Sequence, residues 1–212
     1  MTEACDLIGG LGGSGVPTVK PWDPATLSEK LEQALGARPV AVAMDIDAAG
    51  LPFLRGQEPP AGARSAAQIA EVAARCHESG TPFVLKGVMT PRAALRAAEA
   101  GVDAIVVSNH GGRVLDGTPA TAAVLPDIVD AVGKSVEVLV DGGIRSGLDV
   151  FRALALGARA CLVCRPFVVA AFGRGEDGVR AYLAQLRSEL ADAMEMCGSA
   201  TVAEVTRDML WD

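Results

Sequence analysis

The chain has 212 residues, half of them hydrophobic and 4% aromatic, with a formal net charge of −7. So acidic a composition argues against nucleic acid as a partner, and no apolar run approaches the roughly 18–20 residues that cross a bilayer. Five scattered cysteines, odd in number and without ligand-type spacing, argue against a disulfide framework and against a zinc or other metal site.

The length suits one domain over residues 1–212, with enough chain for a sizeable core. Met1-Thr2-Glu3-Ala4-Cys5-Asp6 carries acids where a signal peptide carries basic residues, so a cytoplasmic protein is expected. Residues 16–20 read as a short strand. Asp23-Pro24 opens a helix through Leu35, with Asp as cap and Pro at its first position, and Gly36 stops it. Residues 39–44 read as the next strand, and 51–64, with prolines and glycines around Gln57 and Glu58, as a loop. Ser65 caps a helix to about Ser79, residues 82–86 form a strand ending in Lys86, and Thr90-Pro91 starts a helix that Gly101 stops. Strands follow at 104–108, 136–140 and 160–164, separated by helices over about 121–132 and 146–156. Two helical segments, about 175–196 and 201–210, close the chain and are too long and acidic for a seventh strand.

Three joints share one wording: Gly36-Ala37-Arg38-Pro39-Val40, Gly101-Val102-Asp103-Ala104-Ile105 and Gly157-Ala158-Arg159-Ala160-Cys161. Each reads as a helix-ending glycine followed by entry into a strand. Repeated βα units imply a parallel sheet or barrel. Six strands fall short of the eight that close a barrel, so an open sheet or a barrel lacking two units is expected.

Candidate chemistry lies where strands stop. Residues 104–107 run into Ser108-Asn109-His110-Gly111-Gly112-Arg113, and residues 136–140 into Asp141-Gly142-Gly143-Ile144-Arg145. In a parallel barrel that edge is where reactions occur. His110 can act as a base near neutral pH, and Arg113 can clamp a carboxylate through two parallel hydrogen bonds. The pattern points to an enzyme acting on a small organic acid. His77, on an expected helix surface, reads as structural.

Asp45 and Asp47 end the strand 39–44, and alternation puts both on one face. They serve either as a capping pair or as a carboxylate that orients the histidine and stabilises its protonated form. Lys86 is either an ordinary solvated lysine or an ammonium beside an electron-rich ring or an anion. Asp141-Gly142-Gly143, the helix start at Ser146 and Cys164-Arg165-Pro166 together suit an anion cradle. Lys86, Arg113, Arg145 and Arg165 gather at one rim, where charge-assisted bonds contribute about 1.5–3 kcal/mol each. A phosphate and a carboxylate would satisfy them.

At these residues the sequence resembles the FMN-dependent α-hydroxy-acid oxidising family, which includes glycolate oxidase, lactate oxidase and flavocytochrome-type lactate dehydrogenases. The match runs from about Pro82 to Trp211 through Leu85-Lys86-Gly87, Ser108 to Arg113, Leu115-Asp116, Pro119-Ala120-Thr121, Asp141 to Arg145, Ala153 to Ala158 and Arg165-Pro166-Phe167. The resemblance implies an α/β, TIM-type (β/α)₈ barrel that binds FMN and oxidises a small L-2-hydroxy acid of the lactate or glycolate type. By it, His110 is the active-site base, Asp45 its partner, and Arg113 the holder of the substrate carboxylate. Lys86 and Ser108 lie on the flavin side, Lys86 at the ring edge where negative charge develops. Asp141, Gly142, Gly143, Arg145, Cys164 and Arg165 bind the ribityl chain and phosphate.

This chain departs from the family in four places. Cys164 stands where the family has glycine, and a Cβ there crowds the approach to phosphate. Lys20 lies about where many members have a substrate-binding tyrosine. The family's arginine after the Asp45-type carboxylate has no clear match, Arg55 being the nearby candidate. By the alignment, residues 16–20 are the third barrel strand, so about six units are present and the first two are absent. An incomplete barrel leaves two unpaired strand edges. Completion by a missing N-terminal segment, a partner chain or a homo-oligomer is therefore expected. The alternative is a catalytically impaired fragment, and a third reading is another kind of FMN barrel, such as an isomerase or reductase.

Overall fold

The computed structural model describes residues 1–51, 56 and 58–211. Arg55 and Gln57 of the expected loop lie outside the described residues. Six strands, β1 (Thr18–Val19), β2 (Val42–Asp45), β3 (Phe83–Val88), β4 (Ala104–Val107), β5 (Glu137–Asp141) and β6 (Ala160–Leu162), form one sheet in chain order. Every pairing is parallel. The crossovers are made by helices α2 (Pro24–Gly36), α3 (Ala66–Glu78), α4 (Pro91–Glu99), α5 (Thr121–Val132) and α6 (Gly147–Ala155), with α1 (Thr2–Gly10) before them and α7 (Arg165–Met196) after. The architecture is that of a TIM-type (β/α) barrel, incomplete in this chain. Among the described residues, β1 and β6 each pair on one side only.

The elements form for the reasons their termini advertise. Asp23 accepts from the amides of Ala25 and Thr26 at 3.1 Å with Pro24 behind it, and Thr90 caps α4 ahead of Pro91. Ser65 with Gln68, and Ser146 with Asp149, close reciprocal capping boxes, each cap contributing about 1 kcal/mol. β2 and β4 are buried along their whole length, as strands covered on both faces must be. The main core gathers Leu31, Met44, Phe83, Ile105, Leu125 and Ile128 around the sheet. A second cluster of Phe151, Ala155 and Val205 seats α6 beneath α7.

Several expectations need correction. The strand expected over 16–20 is reduced to two paired residues, because Pro17 lacks an amide for the ladder and Pro21 follows. α7 starts at Arg165 instead of about 175, with Pro166 in its first turn, and is interrupted where Arg174 and Gly175 leave helical geometry. Residues 201–210 form two 3₁₀ turns, Val202–Glu204 and Arg207–Met209, rather than a helix. At the first of the three joints Gly36 stays inside the helix and Arg38 takes the left-handed backbone at φ 50°, whereas Gly101 and Gly157 take it themselves. The helix α1 was not anticipated. Its acidic first turn suits a helix N-terminus, and Thr2 accepts a hydrogen bond from Gln33 of α2 at 2.6 Å.

Among the described residues no helix is long and apolar enough to cross a membrane.

Candidate active site

Parallel register brings the strand ends level: Asp45 stands opposite Lys86, and Val107 opposite Val140. The residues that follow these ends line a cavity of about 910 Å³. It gathers Asp45, Lys86, His110, Arg113, Asp141, Gly142, Gly143, Arg145, Cys164 and Arg165, from turns more than a hundred residues apart in sequence. Ser108 is the exception. Its side chain is fully buried, and it reaches the cavity through Lys86, which donates to its Oγ at 3.1 Å.

The turn after β4 is the most constrained part of the site. His110 adopts φ 57°, a backbone region that non-glycine residues seldom occupy. Gly111 and Gly112 follow at φ 68° and 78°. The turn is held from within: the amide of His110 donates to Ser108 Oγ at 3.1 Å, the amide of Gly112 to Asn109 Oδ1 at 3.2 Å, and Arg113 Nε to the His110 carbonyl at 3.2 Å. A Cβ at position 111 would stand 2.8 Å from Arg165 Nη2, so this glycine lets the guanidinium at the start of α7 lie against the histidine turn.

The ion pairs at the floor bring the expected Asp45 to the histidine together with a second acid, Asp47. Asp45 accepts from Lys20 Nζ on Oδ2 at 2.6 Å and from Lys86 Nζ on Oδ1 at 3.2 Å. Its Oδ1 lies 3.6 Å from His110 Nδ1, whereas Asp47 Oδ1 lies at 3.2 Å. Thus the nearer partner of the histidine is Asp47. Alternation along β2 would have brought both acids to one face, but the chain enters a 3₁₀ turn at Ile46, and that turn carries Asp47 to the ring. The capping alternative does not describe Asp45, whose side chain caps nothing.

Electrostatics separate the two acids. Burial alone would raise Asp45, yet the hydrogen bond with Asp47 and the ammonium groups of Lys20 and Lys86 hold it below the usual carboxylate range. Burial, and then the Asp45 carboxylate, push Asp47 up to about 6 against the opposing pull of His110 and Lys86. For Lys86 burial favours the neutral amine, but Asp141, Asp45 and Asp47 outweigh it and keep the ammonium above its ordinary value. Lys86 is therefore a charged member of the site, with its head 3.4 Å from Asp141. The same ammonium groups supply the positive charge that a metal ion would bring to Asp45, Asp47 and His110, so the cluster reads as an ion-pair network.

The rim beyond suits an anionic group. Gly142 and Gly143 adopt φ 85° and 84°, and a Cβ at 143 would meet nothing within 4 Å. Thr121 Oγ1 donates to the Asp141 carbonyl at 2.7 Å and pins the turn. Tyr182 of α7 donates to the Arg145 carbonyl at 2.8 Å. Asp141 Oδ1 is buried without a hydrogen-bond partner. Among the described residues Arg113, Arg145 and Arg165 make no ion pair, although all three line the cavity. Cys164 is exposed at φ −113°, a backbone conformation open to any residue, and it precedes α7. Open glycine backbone, unmatched cations and an orphaned carboxylate oxygen fit a phosphate-bearing, hydroxyl-rich group such as FMN.

A family model described as FMN-dependent dehydrogenase matches residues 29–212. The chain belongs to the FMN-dependent dehydrogenase family. Among curated relatives it is 54% identical over 126 residues to a peroxisomal (S)-2-hydroxy-acid oxidase of Oryza sativa subsp. japonica, covering 59% of this chain and 34% of the relative. An L-lactate oxidase of Roseobacter sp. (strain GAI101) is 50% identical over 133 residues, covering 63% and 36%. A mandelate oxidase variant solved with (S)-mandelic acid superposes with a TM-score of 0.86 at 35% identity, over 96% of this chain and 64% of that one. Another, solved with a monooxide FMN adduct, gives 0.84 at 37% identity, over 95% and 64%. The chain spans about a third of the length of the curated relatives it matches.

Reading by strand ends located the histidine, the arginines and the glycine turn. It missed the Lys20–Asp45 pair, Thr18 on the cavity wall, and the apolar side formed by Leu162, Val168 and Val169. The early start of α7 places those valines there, and nothing in the composition of residues 165–174 had marked them as helical.

Proposed function

We propose that this chain carries the flavin and substrate site of an FMN-dependent oxidoreductase that converts a small L-2-hydroxy acid, of the lactate or glycolate type, to the 2-oxo acid. The observation that carries the reading is a base and an unpaired guanidinium on one strained turn, His110 and Arg113, sharing a cavity with the Asp141–Arg145 turn. The named activities of the relatives support it.

FMN, when bound, supplies the two-electron acceptor. Asp141, Gly142, Gly143, Arg145, Cys164 and Arg165 would hold its ribityl chain and phosphate, and Lys86, backed by Ser108, would stabilise negative charge at the ring edge. Arg113 commits Nε to the His110 carbonyl, which leaves both Nη groups for two parallel bonds to a substrate carboxylate. That anchor sets the hydroxyl-bearing carbon against the histidine. His110 has Nδ1 engaged by carboxylates, so Nε2 accepts the proton that leaves the substrate, from the α-carbon or from the hydroxyl. The carboxylates stabilise the imidazolium that results.

Further polypeptide, from a preceding segment or a second copy, closes the sheet between β6 and β1 in this reading. Unpaired edges on both strands support it, as do Val169 and Phe172 of α7, 72% and 90% exposed.

The test is the visible spectrum of the 212-residue chain after incubation with FMN and gel filtration, followed by anaerobic lactate or glycolate. A retained flavin spectrum that bleaches with the hydroxy acid is expected. A colourless protein overturns the reading for this chain alone. Retention without bleaching favours the second reading, an impaired fragment that the open sheet edges also suit.

A further inference from the structure

Two carboxylates face His110 Nδ1, and the site uses them differently. Asp45 has both oxygens occupied by ammonium groups, Lys20 at 2.6 Å and Lys86 at 3.2 Å. Its distance of 3.6 Å to Nδ1 is outside hydrogen-bond range. Asp47 Oδ1, at 3.2 Å, is within it, and Asp47 Oδ2 is buried without a partner. The other charged groups that act on the Asp47 carboxylate are the neighbouring Asp45, which disfavours its charge, and the Lys86 ammonium, which favours it.

The place of Asp47 is built into the backbone of β3. The register between β3 and β4 shifts between Lys86 and Val88, and Gly87, at the break, adopts φ 102°. A Cβ on Gly87 would stand 3.0 Å from both Cβ and Cγ of Asp47. This glycine therefore leaves the room that lets the carboxylate reach the ring.

We propose that Asp47, rather than Asp45, is the positioning residue of His110, holding the ring with its proton on Nδ1 and leaving Nε2 as the basic nitrogen. The charged groups around the pair agree with this division. Lys20 and Lys86 match Asp45, Asp141 faces Lys86, Arg113 bonds the His110 carbonyl, and Arg165 lies against Gly111. Burial and the neighbouring Asp45 raise Asp47 to about 6, so it is a carboxylate at pH 8. The role of the tautomer in catalysis rests on His110 being the base, whereas the tautomer itself can be read without flavin or substrate.

The experiment is ¹⁵N NMR of the histidine rings at pH 8 in the chain without FMN. There are two histidines, so the variant His77→Gln assigns the spectrum. The wild-type ring of His110 is expected to be mainly Nδ1–H. Asp47→Asn makes that form the minor one, as the wrong tautomer follows when an amide replaces the aspartate of a Ser-His-Asp triad. Asp45→Asn leaves the Nδ1–H form dominant. His77, bonded through Nε2 to Asp103 at 2.7 Å, reports whether each variant is folded. If Asp47→Asn does not fold, Gly87→Ala displaces the carboxylate without changing any charge, with the same loss expected. A wild-type ring protonated on Nε2, retention of Nδ1–H in Asp47→Asn, or its loss in Asp45→Asn each overturns the proposal. None of these outcomes depends on whether the chain binds FMN or turns over a hydroxy acid.

Discussion

Lys20 and Asp45 are joined at 2.6 Å just beyond β1 and at the end of β2, and the pair occupies one oxygen of the carboxylate that family resemblance assigns to the histidine, whose Nδ1 lies 3.6 Å from the other. The Asp45 side chain is 4% exposed and lies between two ammonium groups. Removing its charge leaves the half-buried Lys20 without its counter-ion and Lys86 with Asp141 alone. Asp45→Asn is expected to cost about 1.5–3 kcal/mol at pH 7, the range for a lost charge-assisted hydrogen bond. Because the folded-state pKa is depressed, this stability is fully present above the ordinary carboxylate range and is lost progressively as pH falls from that range toward the depressed folded value. The gap between variant and wild type in urea unfolding therefore narrows below about pH 4. An equal gap at pH 7 and pH 3.5 would show that charge is not the cause.

Asp47 has the opposite sign. Its folded-state pKa, about 6, is above that of an unfolded aspartate, so the folded chain binds the extra proton and stability falls as pH rises from about 4 to 6. Asp47→Asn removes that penalty. Discounted for solvent screening, the variant should be about 1–2 kcal/mol more stable than wild type above pH 6 and level with it near pH 4. Melting temperatures across that range check it, and a variant less stable at pH 8 than at pH 4, relative to wild type, would refute it.

The contrast between the two acids shows where sequence reading ran out. Helix starts were legible because a cap is local chemistry: Asp23-Pro24, Ser65, Thr90-Pro91 and Ser146 all open helices. The strand ends were legible as well, which is why His110, Arg113 and Asp141 fall in one cavity. The identity of the histidine's partner was not. It depends on a 3₁₀ turn after Asp45, a register break at Gly87 and the lysine that follows β1, three contributions separated by up to 67 positions in the chain. Alternation held both acids in view and could not rank them. The helical start of residues 165–174 was likewise hidden, since an apolar run after Pro166 carries no polar face to set its period.

The turn bearing Arg145 is braced by α7, and Gly147 is where the two meet. A Cβ on Gly147 would lie 2.2 Å from the amide nitrogen of Leu190 and 2.4 Å from the carbonyl oxygen of Leu186. Backbone cannot rotate away as a side-chain tip can, so Gly147→Ala is expected to cost about 3 kcal/mol or more. The Gly147 amide also donates to Glu189 at 2.7 Å, a bond that separation of the helices would break. Urea unfolding that matched wild type within 0.5 kcal/mol, roughly the scatter of neutral surface substitutions, would show that the helices can part freely.

Arg145 stands at the open glycine turn without an ion-pair partner among the described residues. If it holds phosphate, Arg145→Ala forfeits a charge-assisted bond of about 1.5–3 kcal/mol, which weakens FMN affinity about tenfold to a hundredfold. Flavin fluorescence quenching on titration gives the value directly. An unchanged dissociation constant would place the phosphate elsewhere on the rim.

His110→Ala separates binding from chemistry. The imidazole touches the acids at the floor, whereas the expected phosphate groups lie on the β5 and β6 turns, so FMN affinity should change by less than about threefold. Loss of a positioned base removes about 10²–10⁴-fold in rate, and anaerobic flavin reduction by lactate or glycolate should fall to that extent or below detection. Imidazole added to the variant is expected to restore part of the rate if the cavity left behind admits it, because the carboxylates that stabilise the imidazolium remain in place. Stopped-flow reduction at equal rates in variant and wild type would remove His110 from the reaction.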